Sequence, residues 1–94
     1  MEERRRVPRT VASLELKEIN NQPGVGSFML DHSPLGAKLE TRLSFAPGDF
    51  VEFGYIRPGE EKEIRHFGKV IWVLPSPEKP GFSRLGVEFF RNLG

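Results

Sequence analysis

The stretch IRHFGKVIWVLPSPEKPGFSRLGVEFF, residues 64–90, decides the fold class. Its central run VIWVL, at 70–74, is rich in β-branched and aromatic residues and far too short to span a membrane, so it indicates a buried strand. The following loop at 75–81 contains three prolines, which cannot donate to a strand ladder. Beyond the loop, apolar residues alternate with Gly86 and Glu88, which is the period of a strand with one buried face. The stretch therefore predicts two strands joined by a proline-rich loop.

The rest of the chain has the same character on a smaller scale. Ten glycines and eight prolines divide it into short pieces. In TVASLELKE at 10–18, the residues Ala12, Leu14 and Leu16 share one face of a strand. Gly68, inside the longest strand candidate, predicts a bulge or a bend. Turns are predicted at NNQPGVG (20–26), DHSPLG (31–36), APGD (46–49) and RPGEEKE (57–63). No segment carries a helical stripe, so we expect an all-β protein, a small six-stranded antiparallel β-barrel.

Composition narrows the class of protein further. Ninety-four residues are enough for one domain, and the absence of cysteine excludes disulfides and thiolate metal sites. The charged N-terminus is not followed by the apolar region of a secretory signal, so no membrane insertion is expected and the simplest location is the cytoplasm.

The positive charge is concentrated at the N-terminus. Residues 1–9 contain four arginines, and Val7 is their one aliphatic residue that could pack against a core. We therefore expect a flexible arginine-rich arm at 1–9 ahead of a barrel at 10–94. The remaining chain has ten basic and eleven acidic residues. A protein that binds a nucleic-acid polymer normally carries a basic stripe on its folded face. Positive charge that is confined to a short arm therefore favours a small anionic ligand over a long polyanion. The four arginines are Arg4, Arg5, Arg6 and Arg9.

The residue types of a hydrolase triad stand side by side as Asp31, His32 and Ser33. Consecutive residues of a strand point to opposite faces, so these three side chains cannot converge as a triad requires. Asp31 and Ser33 could instead cap the turn through backbone hydrogen bonds. His32 and His66 are the only histidines, and neither has a metal-ligand partner at short spacing. We expect neither a catalytic site nor a metal site, and hence no enzyme.

Two motifs at the right separation resemble those of the PilZ domain family. RRVPR at 5–9 matches R-x-x-x-R, and DHSPLG at 31–36 matches [D/N]-x-S-x-x-G. The resemblance implies a six-stranded antiparallel barrel that is a receptor for the bacterial second messenger cyclic di-GMP. Departures from the pattern are Pro34 and the lack of a long C-terminal helix after Phe90. The resemblance continues through APGDFVEF (46–53), GKVIWV (68–73) and RLGVEFF (84–90).

By the family pattern, Arg5 and Arg9 reach the phosphates and the guanine Hoogsteen edges with planar guanidinium forks. Asp31 accepts from guanine N–H groups, Ser33 donates or accepts, and Gly36 lets the backbone turn tightly without a Cβ in the way of the ligand. An arginine at position 4 goes with capture of a ligand dimer in this family, so two cyclic di-GMP molecules per chain are expected. No cofactor is implied, and a partner protein must detect the liganded state.

Two alternatives remain open at this level. One is an adaptor of the same fold that has lost the ligand and binds only protein. The other is a small nucleic-acid-binding barrel, which requires aromatic side chains exposed on one strand face for base stacking. The aromatic residues mostly alternate with polar ones, as core residues do, and this favours the receptor.

Overall fold

The structure, a computed structural model, describes residues 10–90. These residues form one antiparallel sheet of eight strands, and they contain no helix with the length and apolar character needed to cross a membrane. The strands are β1 (Thr10–Glu15), β2 (Glu18–Ile19), β3 (Gln22–Pro23), β4 (Phe28–Ser33), β5 (Gly36–Thr41), β6 (Phe50–Ile56), β7 (Glu63–Pro75) and β8 (Ser83–Phe89).

The sheet curls because the segment 10–19 bonds to two distant strands. The strand order is β1-β4-β5-β8-β7-β6-β2-β3, so β4 and β6 are far apart within it. After β1 leaves β4, the Leu16 N–H donates to the Ser27 carbonyl at 2.8 Å. The next amide, on Lys17, donates to the Gly54 carbonyl of β6 at 2.8 Å, and β2 continues that pairing. The segment thereby draws the two halves of the sheet together around one core.

The predicted all-β antiparallel fold is confirmed, but the predicted count of six strands is wrong. The two additional strands are short. The strand β2 lies directly before the turn predicted at 20–26, and β3 lies within that predicted turn. Their hairpin turns at Asn20 and Asn21, which have φ of 48° and 65°, a left-handed conformation that asparagine tolerates. Gly24 has no positive φ. A Cβ there would overlap the carbonyl oxygen of Leu16, so this glycine serves close packing instead of turning the chain.

The core consists of inward-facing residues from the long strands and β2. Complete burial of one large apolar side chain stabilises the folded state by roughly 1.5–3 kcal/mol relative to an exposed side chain. The largest fully buried apolar residues are Phe53, Ile19, Leu39, Leu85, Val51 and Val70.

The strand β7 contains a bulge, but not at Gly68. That residue is regularly paired, and a Cβ on it would overlap the Glu88 carbonyl oxygen of β8. The register shifts instead between Val70 and Trp72. Val70 is in the core, and Trp72 would share its face in a regular strand. The extra residue moves the indole to the outer face of the sheet.

Three phenylalanines are exposed, contrary to the expectation that the aromatic residues mostly lie in the core. Phe50, Phe67 and Phe90 are 61%, 51% and 44% exposed. Phe50 pairs in register with Lys69, and Phe67 pairs with Glu52, so both occupy outward positions beside charged residues. The three rings pack against one another at steep angles, with centroids 5.1–6.2 Å apart. They form a compact cluster and not a set of parallel stacking platforms.

A buried carboxylate fixes the loop between β7 and β8. Glu40 accepts a hydrogen bond from the Ser76 hydroxyl at 2.7 Å and one from Arg84 Nε at 3.1 Å, and Lys79 Nζ lies 3.4 Å away. Burial by itself would raise the pKa of Glu40, but the hydrogen bonds from Ser76, Arg84 and Lys79 together lower that pKa below its ordinary value. The carboxylate is therefore held in its charged form.

Candidate functional site

The DHSPLG stretch forms a tight β-hairpin between β4 and β5. Its turn consists of Pro34 and Leu35, and Ser33 pairs directly with Gly36. The Ser33 hydroxyl accepts a hydrogen bond from the Leu35 N–H at 3.2 Å, which confirms the predicted capping role of this serine. The Leu35 carbonyl accepts from the Phe89 N–H at 2.9 Å. The hairpin tip is thereby tied to the end of β8.

Alternation along β4 separates the three consecutive triad-type residues. Asp31 pairs with Lys38 and Ser33 with Gly36, which are outward positions, whereas His32 pairs with Ala37 of the core face. The three side chains therefore do not form a catalytic triad. Within residues 10–90 no cluster of three or more histidine, aspartate or glutamate side chains could hold a metal ion.

Residues of the hairpin line an open cleft. The cleft has a volume of about 700 Å³ and extends from the hairpin across β5 and β8 to β7. This volume is within the range of roughly 300–1,000 Å³ that is usual for small-molecule sites. The lining residues are Asp31, His32, Ser33, Leu35, Gly36, Ala37, Lys38, Ile71, Trp72, Gly86, Val87 and Glu88.

Two glycines form the floor of this cleft. A Cβ on Gly36 would overlap the Val87 carbonyl oxygen of β8, so Gly36 permits close approach of the neighbouring strand. Its φ is not positive, and the tight turn therefore does not depend on it in the way that the sequence suggested. A Cβ on Gly86 would overlap the indole of Trp72, which lies across that position. The missing side chains thus allow β8 to approach Gly36 and the indole to lie over Gly86.

The cleft contains both signs of charge. The Asp31 Oδ2 atom lies 4.0 Å from Lys38 Nζ, and Glu88 is an exposed second carboxylate. These described residues provide two carboxylates against one ammonium group. They can accept hydrogen bonds from N–H donors, but they do not supply the positive charge that a dianionic ligand requires.

The structure brings together Asp31, Ser33 and Gly36, three of the six residues expected at the site. The sequence did not indicate Lys38 or Trp72 as site residues. Lys38 is revealed by its cross-strand pairing with Asp31, and Trp72 by the bulge that turns it outward opposite Gly86. The other expected residues, Arg4, Arg5 and Arg9, belong to the predicted arm at 1–9, which lies outside the described residues.

Comparison with known families gives one result. The family model described as PilZ domain matches residues 3–94, essentially the whole chain. No significant match was found among curated proteins or among solved structures.

Proposed function

The chain belongs to the PilZ domain family, and on that premise we propose that it is a receptor for cyclic di-GMP that changes conformation on binding and signals to a partner protein. The family consists of ligand-binding and adaptor domains, not enzymes. The observation that carries the proposal is the outer-face cleft, where Asp31, Ser33 and Gly36 lie together beside an indole and an ammonium group.

The cleft chemistry suits a guanine base. The Asp31 carboxylate can accept hydrogen bonds from the guanine N–H donors, and Lys38 can donate to the acceptors O6 and N7. Trp72 offers an aromatic face on which a purine can stack, a contact worth roughly 1–3 kcal/mol per base in nucleic-acid complexes. In this proposal the described part of the site binds base edges and faces.

The phosphates of the ligand require a different source of charge. The described lining residues carry two carboxylates and one lysine. Without further positive charge, this lining is unfavourable for binding a dianion. We assign phosphate binding to Arg5 and Arg9 of the R-x-x-x-R motif, whose guanidinium forks match phosphate oxygens bidentately. The arm and the cleft are then two complementary halves of one site.

The conformational change follows from this division. Ordering a chain segment costs about 1–2 kcal/mol per residue, and residues 1–9 offer little apolar surface to offset that cost. We therefore propose that the arm becomes ordered only when ligand phosphates neutralise its arginines. Amide hydrogen exchange on residues 4–9 should slow markedly on adding cyclic di-GMP. Strong protection already present without ligand would contradict the switch, even if the ligand binds.

Titration calorimetry with cyclic di-GMP, GTP and cyclic GMP tests the binding itself. Cyclic di-GMP should bind far more tightly than either mononucleotide. Asp31→Ala should weaken that binding while circular dichroism remains that of the folded protein, and Glu60→Ala, in the exposed turn after β6, is the matched control. No heat with any ligand, or equal affinity for all three, would leave the ligand-free adaptor as the better assignment.

If binding is established, a pull-down with and without cyclic di-GMP should identify the partner protein. A protein captured only in the presence of ligand would be the expected reader of the switch. We propose a cytoplasmic location for this receptor, which a sequence without cysteine favours.

A further inference from the structure

The inner face behind the binding hairpin carries a cluster of polar rings. Tyr55 of β6 is 3% exposed, and its hydroxyl lies 3.2 Å from Nε2 of His66 on β7. The ring of His32, on β4, is centred 6.2 Å from that of Tyr55. His66 also stacks face to face on Phe89 of β8, with centroids 4.1 Å apart and the planes at 5°. Four strands therefore meet at one hydrogen-bonded ring cluster.

This cluster lies behind the hairpin half of the proposed site and next to the first described residue after the arm. His32 is the residue between Asp31 and Ser33, so its inward ring and the two outward side chains share one short piece of backbone. The register partner of His32 in β1 is Thr10, which follows Arg9 in the chain. A displacement of the His32 ring can therefore be passed to the backbone of the hairpin and to the start of β1.

The hydrogen bond to Tyr55 depends on the protonation of His66. When His66 is neutral, Nε2 can accept the proton of the Tyr55 hydroxyl. A protonated imidazole has only donors, so the pair could stay bonded only with Nε2–H donating to the Tyr55 oxygen, and the buried hydroxyl proton would lose its acceptor. The charge would also be desolvated beside Phe53 and would face His32 across the cluster, and these two effects, burial first, lower the pKa of His66 below its ordinary value.

The surrounding groups offer little compensation for a positive charge. Among residues 10–90, the charged and titratable groups that act on the Tyr55–His66 pair are His32, on His66, and the Arg57 guanidinium beyond the end of β6, on Tyr55. No ion pair among the described residues includes either histidine. The stack on Phe89 attracts an imidazolium, but a single contact of this kind compensates only part of the cost of burying a charge.

We propose that Tyr55 and His66 are positioning residues that hold the binding hairpin through His32, so that the affinity of the cleft for its ligand falls when His66 becomes protonated. This inference rests on the proposed function for its ligand, but the ring cluster and its coupling to the hairpin do not depend on which ligand binds.

The first test is calorimetry with cyclic di-GMP on the full chain between pH 8 and pH 5.5. Affinity of the wild-type protein should fall roughly fivefold on acidification, the scale of one lost hydrogen bond. His66→Gln, which cannot titrate, should remove most of this fall, and His32→Gln, which interrupts the path to the hairpin, should reduce it. Glu78→Gln, an exposed carboxylate that pairs with Arg84 outside the cluster, should retain it. An affinity that does not change with pH in the wild-type protein, or that changes equally in His66→Gln, would overturn the proposal.

The second test needs no ligand and separates this proposal from the proposed function. In a nitrogen-15 NMR titration of the wild-type protein, the amide shifts of Ser33 and Gly36 should follow the same midpoint as the His66 ring proton. This transition should be absent from His66→Gln, and Tyr55→Phe should uncouple the amides from the ring. Hairpin amides that do not respond to the His66 titration would overturn the positioning role, even if cyclic di-GMP binds. A chain that shows the coupled titration but binds no cyclic di-GMP would refute only the ligand.

Discussion

The indole of Trp72 lies so close to the backbone of Gly86 that a Cβ on Gly86 would overlap the indole nitrogen. The two residues are register partners on adjacent strands, and they join the floor of the cleft to its wall on β7.

Gly86→Ala should therefore displace Trp72. Overpacking of this kind costs about 1–3 kcal/mol, which exceeds the 0.4–1 kcal/mol that a glycine-to-alanine change gains through the unfolded chain. Urea denaturation should show a net loss of stability, and calorimetry should show weaker cyclic di-GMP binding. Gly54→Ala is the matched control, because a Cβ there meets only the flexible side chain of Glu63. Equal effects of both variants on binding would argue against a role for the indole.

Replacing an arginine of the arm should weaken binding without altering the fold. Arg5→Ala and Arg9→Ala should each cost about 1–3 kcal/mol of binding free energy, the value of one good bidentate contact. Arg42→Ala removes an exposed arginine whose guanidinium lies 4.9 Å from the centre of the Phe82 ring, outside the cleft, and it should leave affinity unchanged. Arm variants that bind as tightly as this control would contradict the assignment of phosphate binding to the arm.

The stoichiometry should be two cyclic di-GMP molecules per chain. Arg4, directly before the R-x-x-x-R motif, supplies a further guanidinium that can stack on a base or pair with a phosphate. The calorimetric endpoint should fall at two ligands per chain and move toward one in Arg4→Ala. An endpoint at one ligand in the wild-type protein would count against this assignment.

The buried carboxylate of Glu40 should make stability depend on acid pH. Its pKa is lower in the folded protein than the ordinary 4.5, so its contribution is complete above that value and is lost as the pH falls through the folded-state pKa. At pH 7, Glu40→Gln should cost about 1–2 kcal/mol of unfolding free energy, because it removes charge-assisted hydrogen bonds near the surface. The difference from wild type should shrink in acid. Glu78→Gln, which alters an exposed carboxylate 3.7 Å from Arg84, should have almost no effect.

Local chemistry made some elements of the fold predictable. The turn at 46–49 was predicted from its Pro-Gly pair, and Gly48 has a φ of 98° while the Asp49 N–H donates to the Ala46 carbonyl at 3.0 Å. The strand after the proline-rich loop also has the predicted faces, with Leu85 and Val87 buried and Glu88 exposed. At these positions the sequence contains the residue types that the local backbone conformation favours, so the local pattern was sufficient for the prediction.

Other features depend on contacts that one sequence does not display. The hairpin at Asn20 and Asn21 was missed because the nearby Pro-Gly pair is the stronger turn signal, although Gly24 is required by close packing on Leu16. Trp72 could not be assigned to the cleft, since simple alternation places it on the same face as Val70. Only the register of β7 against β8 shows where the extra residue is inserted.

The cleft also has a consequence for the order of folding. Its hairpin wall belongs to β4 and β5, and its opposite wall to β7 and β8, each pair being joined by a short connection. The two pairs meet only through β5 and β8, where Gly36 lies opposite Glu88, fifty-two positions away along the chain. Closing so long a loop is entropically costly, and such nonlocal pairings characterise slow folding. A chain emerging from the ribosome therefore cannot assemble the cleft until β8 has been synthesised, so the cleft is a late product of folding and is absent from every shorter nascent chain.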